Sequence, residues 1–107
     1  MTEPRRVHSL ADARAAILAM ENTSVRLESP AAAAGTLGIG WWQALLARLA
    51  EEFPERKIEG VLDCGSAPGH ALAALRAGVS CVRVQASPEA LAALEQIAAR
   101  LGATVMP

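Results

Sequence analysis

Cys64 and His70 bracket the stretch Asp63-Cys-Gly-Ser-Ala-Pro-Gly-His70, and a thiol beside an imidazole is the pairing from which a nucleophile and its base are built. A cysteine at a strand's end near a helix N-terminus also has its thiolate favoured. The set stops there. The other histidine, His8, lies far back in the chain, and no third group orients the base. Cys64 therefore reads as a small buried hydrophobe and His70 as an exposed residue of a first helical turn, and no catalytic residue is assigned. Two cysteines and two histidines at these spacings match no zinc pattern, so no metal site is expected. In adjacent parallel strands Cys64 and Cys81 would stand roughly 13 Å apart, too far for a disulfide. Two reduced thiols are expected, as in a reducing compartment.

Three loops carry groups suited to a ligand. In Gly35-Thr-Leu-Gly38-Ile-Gly40, Gly38 and Gly40 would let the backbone approach a phosphate at a helix N-terminus. The spacing is neither of the familiar nucleotide patterns and no lysine follows, so a flexible turn entering a helix is the better reading. The second loop offers Asp63, Gly65, Ser66, Gly69 and His70, and the third offers Gln85 and Ser87. A small phosphate-bearing or nucleotide ligand is the class such loops would take. The cofactor, if any, is left unassigned.

From about 60 to 102 the chain resembles the start of the class I S-adenosylmethionine-dependent methyltransferases. Val61-Leu-Asp-Cys-Gly-Ser-Ala-Pro-Gly69 is similar to their glycine-rich first motif, and VRVQASPEALAALEQIAARLG, from Val82 to Gly102, is similar to the second strand and its helix. The resemblance implies that Asp63, Gly65 and Gly69 cradle the methionine part of the cofactor. It also implies an acid after Val84 to hold the ribose hydroxyls. The residue there is Gln85, whose neutral amide makes weaker, mixed bonds. Only one short strand follows, so the rest of that fold is expected to be absent and the activity with it.

The elements that would position these loops alternate. A weak strand around Arg6-Val-His8 leads to Ser9, an N-cap with Asp12 as a partial capping box, and to a helix ending near Asn22. Ser24–Glu28 alternates strictly, which predicts a half-exposed strand at a sheet edge. A loop from Ser29 to Gly40 enters a helix from about Trp41 to Phe53, stopped by Pro54. Ile58–Cys64 is the most continuous apolar run and predicts a central strand. Helices from Pro68 to Ala77, closed by Gly78, and from Pro88, capped by Ser87 and closed by Gly102, flank a strand over Val79–Val84. Ala103–Met106 makes a fifth strand. This rhythm predicts a single three-layer α/β domain over 1–107, β(αβ)4, with a mostly parallel five-stranded sheet. The expected order is 2-1-3-4-5, with a half-barrel of four βα units, open on one side, as the alternative.

At 107 residues and net charge −1, the chain lacks the basic surface that draws nucleic acid or anionic membrane. Ser29–Ala47 is uncharged, but its proline and glycines suit a loop and a buried helix better than a membrane span. The first ten residues lack the apolar core of a signal peptide, so a cytoplasmic protein is expected. Lys57 is the only lysine and alanine abounds, a bias that suggests a GC-rich bacterial genome. Trp41 falls about 100° around the helix from core-facing Trp42, at the margin of the buried face, which makes it the candidate contact of a homodimer. The reading is a non-catalytic interaction or ligand-sensing module. The alternative is a nucleotide- or S-adenosylmethionine-type binder or enzyme using the loops at the strands' carboxyl ends.

Overall fold

The computed structural model describes residues 3–107. Local chemistry sets the elements. The Ser9 hydroxyl accepts from the Asp12 N–H at 3.0 Å, and the Asp12 carboxylate accepts from the His8 N–H at 2.9 Å, starting α1 (Leu10–Ala19). Arg56 donates to the carbonyls of Ile17, Met20 and Asn22 at 3.1, 2.9 and 3.3 Å. A cation there answers the unpaired carbonyls of a helix end, so α1 stops at Ala19, short of Asn22. Ser87 caps α5 (Pro88–Leu101) through the Ala90 N–H at 3.2 Å, and Gly102, at φ +70°, ends it. Between these lie β1 (Arg5–Arg6), β2 (Ser24–Glu28), a short α2 (Ala33–Thr36), α3 (Ile39–Glu52), β3 (Lys57–Asp63), α4 (Pro68–Arg76), β4 (Cys81–Arg83) and β5 (Thr104–Met106).

The α/β class and the five parallel strands agree with the sequence reading; the strand order does not. The sheet runs β1-β2-β3-β4-β5, the order of a half-barrel, in place of 2-1-3-4-5. Each right-handed crossover then steps the same way along the sheet and leaves its helix on the same face. The packing agrees. Ala13, Ile17, Trp42, Leu49, Ala74, Leu75 and Leu94 from the helices form one cluster with Val25, Leu27, Leu62 and Val82 of the strands. The domain therefore has two layers, not three.

Short, polar β1 is an edge strand, and β2 is internal, with β3 on its other side over the register Ser24↔Lys57 to Glu28↔Val61. The alternation of β2 was real, but its polar side faces away from the helices, not off the edge of the sheet. β3 is central, as expected. Gly60 on β3 lets α3 approach closely: a Cβ there would meet Leu46 Cδ1 at 2.5 Å and Trp42 Cζ2 at 3.0 Å.

Candidate functional site

Because side chains alternate along a strand, the face of the sheet opposite the helices carries every second residue. The register Arg6↔Glu28, Arg26↔Glu59, Glu28↔Val61, Asp63↔Arg83, Cys81↔Thr104 and Arg83↔Met106 aligns them across the strands. With Lys57 they make a layer of mixed charge at the centre of a parallel sheet, where apolar residues covered by helices are usual. Glu28 is its hub and is only 5% exposed. Arg83 grips it with two nitrogens, Nε–Oε2 at 2.8 Å and Nη2–Oε1 at 3.1 Å, and Arg6 Nη2 reaches Oε2 at 3.0 Å. Such a bidentate fork is the strong form of the pair. The hydrogen bond that Arg83 donates to Glu28 raises the Arg83 pKa against the opposing effect of burial, so this arginine is charged at any ordinary pH.

The layer also seals itself. Arg26 and Arg83 both reach Met106 Sδ, at 3.9 and 4.0 Å. Arginine stems cover apolar surface while their heads stay polar. Val61 and Cys81 are accordingly buried on this face although no helix lies over it. Burial raises the Cys81 pKa, and Glu28 and Glu59 add to the rise while Arg26 and Arg83 oppose it. At the amino-terminal rim, Arg26 Nε lies 3.5 Å from Glu59 Oε2, and Lys57 Nζ lies 3.6 Å from Glu59 Oε1. A cavity of about 280 Å³ opens there, lined by Arg26, Glu59, Cys81 and Thr104 among others.

The loops at the other end of the strands spend their polar groups on the fold. Asp63 Oδ1 accepts from the N–H groups of Gly65 at 2.8 Å and Ala32 at 3.1 Å, while Oδ2 accepts from Arg6 at 3.2 Å. Burial pushes its pKa up, but the Gly65 and Ala32 N–H groups and Arg6 outweigh that and hold it below the usual carboxylate value. Gly65 takes φ +58°, and a Cβ there would sit 3.2 Å from that of Ala32, itself left-handed at φ 54°. The Gln85 N–H closes the corner on the Gly65 carbonyl at 2.8 Å. Asp63, Gly65 and Gln85 are thus brought together, as one turn. Ser87 is occupied as an N-cap, and Ser66 is exposed.

The remaining candidates fall into local roles. Gly69 lies in the first turn of α4 without a left-handed φ, so the corner does not require glycine there. His70 packs its ring over Gly35, where a Cβ would meet Cε1 at 2.7 Å. Gly38, at φ +97°, precedes α3, and Gly40 lies inside that helix facing open space. Trp41 is half-buried against the core, its ring centroid 6.1 Å from that of Trp42. Cys64 is a free buried thiol whose pKa burial, helped by the charge of Asp63, pushes up to about 11. That is the reverse of the activated thiolate that its position at a strand's end suggested.

The ionic layer is what the sequence reading missed. Its signal was there: Arg26 and Glu28 alternate with Val25 and Leu27, and Lys57 and Glu59 alternate with Ile58 and Gly60. Among the described residues no group of His, Cys, Asp and Glu is arranged to hold a metal ion, and no helix is long and apolar enough to cross a membrane. Neither a protein-family model nor a curated protein sequence matches the chain.

Proposed function

We propose that this chain is a non-catalytic interaction module, a bacterial cytoplasmic homodimer in which the helix-free sheet face receives a second copy. The observation that carries this reading is the one-sided layering. A parallel sheet ordinarily has both faces covered, and a domain of this size gains from burying more surface. The charge pattern favours a second copy over a strongly charged partner. Glu28 and Asp63 are buried in ion pairs within the layer, which leaves Lys57 and Glu59 as exposed groups of opposite sign on the face, so two copies can set opposite charges against each other, giving register and specificity more than raw affinity. Two buried free thiols suit a reducing compartment. A non-catalytic role is favoured by the internal use of Asp63 and Ser87 and by the raised pKa of Cys64.

Light scattering of the eluting protein tests this. The wild type is expected at twice 11.1 kDa, and Lys57→Glu combined with Thr104→Glu, two exposed positions on the face, is expected to elute as a monomer. Arg100→Glu, on exposed helix surface, should remain dimeric. A monomeric wild type, or a dimer indifferent to the face substitutions, overturns the proposal.

A further inference from the structure

The sheet ends on two edges of different character. At one, the Val7 N–H donates to the Glu28 carbonyl at 2.9 Å. Backbone groups alternate in direction along a strand, so Arg6 turns its own N–H and C=O outward. At the other, the Thr104 N–H donates to the Ser80 carbonyl at 2.9 Å, and the Met106 carbonyl accepts from Val84 at 3.0 Å. Val105, between them, therefore turns its N–H and C=O outward. An open edge is a template for another strand. The β1 edge carries Arg5 and Arg6 behind Pro4, so two copies of it repel each other. The β5 edge, Thr104-Val-Met106, is uncharged and can receive it.

The strand order fixes how these edges can meet. All five strands are parallel and stand in chain order, with the helices on one face. That is the arrangement of a section of a closed βα barrel, whose helices ring the outside while the helix-free face lines the interior. A twofold axis running along the strands sets β5 of each copy beside β1 of the other, in the parallel sense the sheet already has. Both edges then disappear together, and the two helix-free faces meet across the axis. Eight strands enclose a bore that side chains just fill, and the bore widens with strand number. A wider bore suits Arg6, Arg83 and Glu28, which are longer than the branched residues usual in such interiors. Their charges are already paired within each chain, Arg83 with Glu28 at 2.8 Å and Arg6 with Asp63 at 3.2 Å, so closure buries no uncompensated charge among them.

We propose that two copies of this chain close their sheets into one parallel barrel, five strands from each, with β5 of each copy paired to β1 of the other. The proposal rests on the reading of the protein as a homodimer through its helix-free face and adds the route by which the copies meet.

Hydrogen exchange of the full chain, resolved to single amides, tests it at concentrations below and above the doubling of mass seen by light scattering. The Arg6 and Val105 amides are both expected to exchange at least about tenfold more slowly in the dimer. Slowing at Val105 alone means that two β5 edges pair with each other, and slowing at neither means that the faces stack without a seam. Either result overturns the barrel and leaves the dimer standing, whereas a mass that never doubles overturns both. Val105→Pro removes an N–H that points away from β4 and should weaken association at least about tenfold. Val105→Ala keeps that N–H and should associate as the wild type does. Equal association by the two variants overturns the proposal, and the wild-type exchange decides it even if Val105→Pro fails to fold.

Discussion

Replacing Asp63 with alanine separates a structural clamp from a ligand-binding acid. The substitution removes the acceptor of two backbone N–H groups, on Ala32 and Gly65, and one partner of Arg6. An unsatisfied buried N–H costs about 1–3 kcal/mol. Both residues are half-buried, so water reaches them in part and the low end applies, about 1 kcal/mol each. Arg6 keeps Glu28 at 3.0 Å and is 39% exposed, so its loss adds little. The sum is about 2–3 kcal/mol, which in a domain near this size lowers Tm by about 10–20 °C. Asp63→Asn keeps an oxygen for the two N–H groups and loses the ion pair, so about 1 kcal/mol is expected. Urea unfolding followed by circular dichroism measures both. A cost below about 0.5 kcal/mol for Asp63→Ala would refute the clamp and return Asp63 to the ligand reading.

Other expectations follow from the same geometry. Gly65→Ala meets a left-handed φ and the Ala32 Cβ and should cost about 1–2 kcal/mol. Gly69→Ala, in the first turn of α4 with free space around it, should be neutral or stabilising by up to about 1 kcal/mol in the same urea assay. Gly60→Ala drives a Cβ into Leu46 and Trp42 and should cost about 1–3 kcal/mol by overpacking. Asp63 has a lowered folded pKa, so its contribution is present above the unfolded value of about 3.9 and is lost as pH falls through the folded one. The stability gap between wild type and Asp63→Asn should therefore close in acid. Cys64 is the opposite case, raised from 9.0 to about 11. The native state keeps a proton that the unfolded state sheds, so wild-type stability should decline between those values relative to Cys64→Ala.

Much of the fold was legible because it is written in local chemistry. Ser9 with Asp12, Ser87-Pro88, Gly78 and Gly102 mark helix ends through hydrogen bonds and backbone angles confined to a few residues. Strand order is not local. Two placements of β1 satisfy the same hydrophobic alternation, and they differ in which face the helices cover. The polar side of β2 was read as an edge, because one strand cannot show that Arg26 and Glu28 stand opposite Glu59 and Arg83. Likewise α2, four residues long, lies inside a stretch whose glycines signal only a loop. Asp63 looked like a ligand acid because its partners, Ala32 and Arg6, are remote in the chain.

The position of the chain's only lysine gives the most direct test of the helix-free face as an interface. The Lys57 side chain is 71% exposed on the rim of that face, and acetylation of its amine can be timed by mass spectrometry as protein concentration rises. The account predicts that the rate falls in step with the doubling of mass seen by light scattering. A doubled mass with an unchanged Lys57 rate would place the interface elsewhere, and a mass that never doubles would contradict the dimer itself.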